Sequence, residues 1–179
     1  SAPTQTLRAA IAKLVASDAP VMLCGETGVG KRLAARLIHQ GSSRRAGPFV
    51  AVNCCAQPGD LFASRQVATR SAEGLHLQGL SPVESANGGT LFLDDVDSLS
   101  PDCQAQLLRL LEDGSFERPG KSPGHADVRV VTASHADLGA AVLRGAFRDD
   151  LFYRLSALQL RIPPLRDRHG DVEQLAQHF

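Results

Sequence analysis

The stretch Val21-Met22-Leu23-Cys24-Gly25-Glu26-Thr27-Gly28-Val29-Gly30-Lys31 decides the fold. Its first four residues are apolar and predict a buried strand. The next turn has a glycine, four residues, then glycine and lysine, and it fits a phosphate-binding loop closing onto a helix. Glycines let successive backbone N–H groups turn toward an anion, the helix N-terminus adds the positive end of its dipole, and Lys31 supplies a point charge for outer phosphates. A plain strand-to-helix turn would explain the glycines but not a lysine in that frame. Gly25, Glu26, Thr27, Gly28, Val29, Gly30, Lys31 and Arg32 are therefore the candidate phosphate-binding residues.

Upstream, Leu7, Ile11, Leu14 and Val15 recur at helical spacing, and Ser17-Asp18-Ala19-Pro20 closes that helix. Downstream, Leu33, Ala34, Leu37 and Ile38 predict one apolar helix face ending near Gly41, and Ser42 to Gly47 reads as a basic, polar turn. Phe49-Val50-Ala51-Val52 is a second strand that ends at Asn53. Between Gln57 and Asn87 the pattern weakens. Leu61, Phe62 and Val67 suggest a short helix, while Gly74, Gly79 and Pro82 break any longer element, so 57–87 reads as an insertion. Gly88-Gly89 turns into the buried strand Thr90-Leu91-Phe92-Leu93, which runs directly into Asp94-Asp95. Ser100-Pro101-Asp102 opens a helix that carries Leu107, Leu108, Leu110 and Leu111 and ends at Gly114.

Pro119, Gly120, Pro123 and Gly124 make Ser115 to His125 a short hairpin or loop. Val128, Val130, Val131 and Ala133 predict a strand ending in Ser134-His135. Asp137 caps a short helix through Val142 and Leu143, and another helix holds Phe147, Leu151, Phe152 and Leu155. Leu158, Leu160 and Ile162 form a last strand stopped by Pro163-Pro164, and Asp171 to Phe179 begin a further helix. Strands alternating with helices predict an α/β fold whose parallel sheet is covered on both faces.

A chain of 179 residues with 43% hydrophobic content suffices for one such domain over 1–179. Lys plus Arg and Asp plus Glu both number 19, so no overall basic field argues for nucleic-acid binding by this stretch. Cys24, Cys54, Cys55 and Cys103 show neither Cys-x-x-Cys nor metal spacing and read as reduced thiols of a cytoplasmic protein. Ser1-Ala2-Pro3-Thr4 is not a signal peptide and no run has membrane-spanning length, so no membrane partner is expected.

Phosphoryl transfer to water requires cradled phosphates, a held magnesium ion, an oriented water and a counter to developing charge. Asp94, at the end of a buried strand, is placed to hold Mg2+ directly or through water, and Asp95 is the candidate to orient the attacking water.

Five stretches carry a resemblance: Gly25 to Lys31, Gly47 to Cys54, Asn87 to Asp94, Phe147 to Leu155, and Pro163-Pro164-Leu165-Arg166. Together they resemble the central AAA+ ATPase domain of bacterial enhancer-binding regulators, the NtrC-like activators of sigma-54 RNA polymerase. The resemblance implies a P-loop NTPase core with a five-stranded parallel sheet, a hexameric or heptameric ring, and ATP or ADP with Mg2+ between protomers. It implies that Arg148 and Arg154 reach the neighbour's γ-phosphate, and that Asn53 restrains the water-orienting carboxylate until nucleotide is sensed. His135 falls at a sensor position where such domains commonly carry Asn; an exposed loop histidine is the alternative. Local pairing with Asp149 or Asp150 is the alternative for Arg148. A helical lid beginning near 171–179 and a separate C-terminal DNA-binding domain are further implications.

Three departures from that pattern bear on activity. Where the resemblance calls for Glu, this chain has Asp95. Losing one methylene withdraws the carboxylate by roughly 1.5 Å, and a misplacement of about 1 Å can cost on the order of a hundredfold in rate. Arg32 stands where related loops carry a hydroxyl or an acid. Near Ala72-Glu73-Gly74-Leu75-His76-Leu77 the Gly-Ala-Phe-Thr-Gly-Ala element that grips the sigma factor has no counterpart. The expectation is nucleotide-dependent assembly with weak hydrolysis and no ordinary sigma-54 activation. A competent motor acting on RNA polymerase or another partner, or a scaffold with a vestigial site, is the alternative.

Overall fold

The computed structural model describes residues 2–56, 61–63, 68–71, 74–77, 79–118 and 122–168. In chain order the elements are α1 (Ala2–Val15), β1 (Val21–Cys24), α2 (Lys31–Gly41), β2 (Phe49–Asn53), β3 (Ala68–Ser71), β4 (Gly74–Leu77), α3 (Pro82–Ser85) and β5 (Thr90–Asp94). After a short 3-10 turn at Val96–Ser98 come α4 (Pro101–Asp113), β6 (Ser115–Phe116), β7 (Gly124–His125) and β8 (Arg129–Ser134). The chain continues through α5 (Leu138–Leu143), α6 (Asp149–Leu155), β9 (Leu158–Arg161) and a second 3-10 turn at Leu165–Asp167. Among these, no helix is long and apolar enough to cross a membrane.

β2, β5, β8, β1 and β9 form one sheet in that spatial order, every pair parallel. Parallel pairing puts all the carboxyl ends on one edge. Asn53 is in register with Asp94, and Cys24 with Ser134. The segments leaving β2, β5, β8 and β1 therefore share one rim, where open α/β sheets bind ligands.

Alternation along β5 assembles the two halves of the core. Leu91 and Leu93 pack with Val83, Leu107, Leu151 and Leu155 on one face, and Phe92 packs with Ile11, Ile38, Val131 and Ile162 on the other. Both faces are covered, as the uninterrupted apolar strands require. On α4, Ser100 caps the first turn by accepting from the Cys103 N–H at 3.3 Å, and Gly114 closes the last turn with φ of 77°.

The structure changes three local expectations. On α2 the buried stripe is Ala34, Ala35 and Ile38 with His39, whereas Leu33 is 62% and Leu37 43% exposed. Two alanines let this helix lie close against the sheet and rotate both leucines outward. Leu61 to Ala63 form a bend, not a helix; Val67 lies outside the described residues. In the expected insertion, β3 and β4 pair as an antiparallel hairpin. α3 comes next, nucleated by a reciprocal cap between Ser81 and Glu84. Residues 72–73 and the helix expected at 171–179 lie outside the described residues.

Candidate functional site

The phosphate loop folds around its own lysine. Lys31 is nearly buried at the start of α2, and its Nζ donates to the carbonyls of Gly25 at 3.0 Å and Glu26 at 3.1 Å. Gly25 runs so close to the segment after β9 that a Cβ there would stand 2.8 Å from the Ile162 carbonyl oxygen. Gly30 precedes the helix with φ of 99° and offers no capping side chain, so the first-turn N–H groups of α2 keep no side-chain partner. Thr27, Gly28 and Arg32 are exposed at the mouth, while Val29 is buried beneath it. Glu26 is tied across the mouth to Arg166 by two bonds of 2.8 and 2.5 Å, which hold its carboxyl below the usual carboxylate range.

The carboxylate pair sits on the same rim. Asp94 is half-buried, and its pKa is raised first by burial and then by Asp95, with Lys31 pulling it back in part. Asp95 adopts a left-handed backbone conformation, φ 53°, which turns it out of the strand. There it meets both of its proposed regulators. The Asn53 Nδ2 donates to Asp95 Oδ2 at 3.4 Å, and the His135 Nδ1 lies 3.2 Å from Asp95 Oδ1. The amide of Asn53 is oriented by the Ala56 N–H, which donates to its Oδ1 at 2.9 Å. Two residues, from the ends of the strands on either side of β5, thus converge on the Asp95 carboxylate.

A divalent cation fits this rim electrostatically. The neighbouring charge of Asp95 adds to the burial that raises the pKa of Asp94, and a cation would relieve that repulsion. Asp94 is the carboxylate that feels the charges of Lys31 and Arg32 in the loop. Asp95, Asp97 and His135 also bring ligand atoms within 4.8 Å of one another, but Asp97 Oδ1 already accepts from the Ser134 hydroxyl at 2.7 Å.

Arg148 and Arg154 stand apart from this group. Arg148, at the start of α6, pairs with Asp150 at 2.8 Å, and Arg154 lies 3.8 Å from Glu112 on α4. Neither contacts the phosphate loop of its own chain. The start of α6 is nonetheless fixed, because Gln104 on α4 accepts from the Arg148 N–H at 2.9 Å and donates to the Leu99 and Ala146 carbonyls.

Two clefts open beside the loop, separated by Glu26 and Arg161. One, of about 600 Å³, extends over the ends of β1 and β8 past Cys24, His135 and Phe152. The other, of about 500 Å³, is walled by Leu7 and Ala10 of α1, by Leu160, and by Pro163 and Pro164. Sequence reading missed this apolar cleft. Its α1 wall and its wall at and after β9 lie at least 150 positions apart in the chain, and the parallel neighbour relation of β1 and β9 brings them together.

Residues 1–161 match the family described as the sigma-54 interaction domain. The chain belongs to that family. This sigma-54 interaction domain is 41% identical over all of its length to 38% of the DNA-binding transcriptional regulator NtrC of Rhizobium meliloti (strain 1021). It is 48% identical, over 93% of its length, to 30% of the phenol regulator MopR of Acinetobacter guillouiae. The chain therefore spans about a third of the length of these curated relatives. Among solved structures, NtrX from Brucella abortus in complex with ATP superposes with a TM-score of 0.86 at 34% identity, covering 98% of this chain and 38% of that one. The ADP complex of the same protein gives 0.87 at 32%, covering 99% and 40%. The fold is that of an AAA+ P-loop NTPase, as the sheet order and the loop had indicated.

Proposed function

We propose that this sigma-54 interaction domain binds ATP with Mg2+, uses the nucleotide to assemble a hexameric or heptameric ring, and hydrolyses it slowly. The setting is a transcription regulator that reads DNA through another segment. The observation that carries the reading is Asp95, the water-orienting carboxylate, held between Asn53 and His135 at the rim of an intact phosphate loop. A side chain one methylene short of glutamate and engaged on both oxygens is badly placed to reach a water at the γ-phosphate.

In this reading the triphosphate displaces the two carbonyls from Lys31 and lies along the N-terminus of α2. The base enters the cleft walled by Leu7, Ala10, Pro163 and Pro164, whose apolar lining suits a planar ring. Asp94 holds Mg2+, which when bound neutralises charge on the β- and γ-phosphate oxygens. Arg32 offers no oxygen to the metal and adds positive charge near Asp94. Arg148 and Arg154 act on a neighbouring protomer's nucleotide after leaving Asp150 and Glu112, both exposed pairs that are weakly held. The likeness to NtrX solved with ATP and with ADP supports the choice of nucleotide. With no Phe-Thr pair near Ala72 to Leu77, the domain is not an ordinary activator of sigma-54 polymerase.

The test is open-complex formation by the full-length protein with sigma-54 polymerase and ATP. No activation is expected, together with ATP-dependent growth of the oligomer in analytical ultracentrifugation. Robust open-complex formation would instead identify a competent motor.

A further inference from the structure

At the opposite edge of the sheet lies an arginine that the site does not use. Arg129, the first residue of β8, is only 1% exposed, among the most deeply buried large side chains of the domain. No described carboxylate pairs with it. The nearest charged groups are Asp18, already engaged with Arg44, and Arg44 itself. Among the described residues its guanidinium makes one hydrogen bond, from a terminal nitrogen to the carbonyl oxygen of Leu14, at 2.7 Å. Nε and the other terminal nitrogen have no protein partner among the described residues. A buried cation without a counter-ion contributes little to stability and commonly lowers it. Its bond is geometric: it is a second and shorter donor to a last-turn carbonyl of α1 that also accepts from the Ser17 N–H at 3.3 Å, and a positive charge there complements the helix dipole.

α1 has a second attachment at its other end. Thr6, Leu7 and Ala10 line the apolar cleft beside the phosphate loop, while Ile11 and Leu14 pack into the core below. Leu7 and Leu14 are seven residues apart, about 10 Å along the helix axis. Apolar packing alone tolerates sliding and rotation of a helix, whereas a guanidinium fixed to the central strand and bonded to a last-turn carbonyl sets both height and rotation. The α1 end is further indexed against α2, because Val15 fills the space where a Cβ on Gly41 would stand, 2.8 Å away.

We propose that Arg129 is a positioning residue, bonded through Leu14 to the end of α1, that holds this helix where Thr6, Leu7 and Ala10 wall the base cleft. This rests on the nucleotide reading above. Arg129 thereby sets affinity for the base of the nucleotide and leaves the phosphate loop untouched.

The experiment measures binding of ATP and of inorganic tripolyphosphate, each with Mg2+, to full-length wild-type protein and to Arg129→Met and Arg129→Lys, alongside hydrogen exchange of the α1 amides. Arg129→Met is expected to weaken ATP binding about tenfold, equivalent to about 1.4 kcal/mol. Tripolyphosphate affinity should stay unchanged and protection of the last turn of α1 should fall. Arg129→Lys, which can still donate to Leu14, should restore most of both. Equal losses for ATP and tripolyphosphate, or no loss for either, would overturn the proposal. If Arg129→Met does not fold, Arg129→Gln takes its place, since its amide ends short of the Leu14 carbonyl, and the same outcomes apply. Wild-type protein that binds tripolyphosphate but not ATP would refute the nucleotide reading; unchanged α1 exchange in the Arg129 variant would then refute the positioning role separately.

Discussion

Replacing Asp95 by Glu is expected to speed ATP hydrolysis while making the domain less stable. The added methylene advances the carboxylate by roughly 1.5 Å, and errors of about 1 Å in a reacting group are worth on the order of a hundredfold in rate. The backbone cannot supply that advance in the wild type. Asp95 is anchored on both oxygens, 3.4 Å from Asn53 Nδ2 and 3.2 Å from His135 Nδ1, directly after β5, which pairs with β2 on one side and β8 on the other. Lengthening the side chain carries the carboxylate past both partners, so the gain should be about tenfold to a hundredfold. The cost arises from φ of 53° at this position. Aspartate tolerates left-handed backbone better than glutamate because its short side chain bonds locally, and the exchange costs about 1 kcal/mol. For a domain of this size that lowers Tm by about 2–4 °C. Phosphate release at saturating MgATP, ATP affinity by calorimetry and a thermal scan on the full-length protein measure the three quantities. An Asp95→Glu protein that binds ATP like the wild type and turns over no faster would refute the geometric reasoning.

Arg148→Ala removes an ion pair whose partners are 46% and 51% exposed, so stability should hardly change. If Arg148 reaches a neighbour's nucleotide, steady-state ATPase of the assembled ring should drop by about three to five decades with ATP affinity unchanged; an unchanged rate would exclude that role. Gly25→Ala places a Cβ 2.8 Å from the Ile162 carbonyl oxygen. It should destabilise the fold by about 1–3 kcal/mol and weaken ATP binding, read by denaturant melts and calorimetry. Asp127 is held below the usual carboxylate range by its hydrogen bond from Arg44, at 2.7 Å, and by the charge of that guanidinium. A carboxylate depressed in the folded state adds stability above its unfolded pKa and loses it as pH falls through the folded value. Asp127→Asn should therefore be less stable than wild type by up to about 1 kcal/mol at pH 7, with the gap closing in acid. Thermal scans at several pH values check this, and a gap independent of pH would contradict it.

Much of the rim is legible in the sequence alone. Val21 to Lys31 announces strand, loop and helix in one stretch, and Leu91 to Leu93 is apolar without alternation, as a strand buried on both faces must be. Each strand end can be named from the sequence, but the spatial order β2, β5, β8, β1, β9 cannot. That order makes Asn53, Asp95 and His135 neighbours, and without the family resemblance their convergence has no local signal. The α2 face is misjudged because leucine outweighs alanine in any apolar count, although close approach to the sheet favours the smaller residue. The hairpin of β3 and β4 escapes notice because Ala68–Ser71 and Gly74–Leu77 hold no continuous apolar run like that of β1. Arg129 gives no sign of burial, since an arginine opening a strand ordinarily reads as an exposed edge charge.

The central claim is that nucleotide binding is intact while hydrolysis is held back at Asp95. ATP affinity and steady-state turnover, measured on the same full-length preparation with Mg2+, test it most directly. The expected result is saturable ATP binding with turnover well below about one per second, the lower end of ordinary enzymes. Saturable binding with turnover at or above about one per second would contradict the claim, because a carboxylate placed as Asp95 is could not then be limiting.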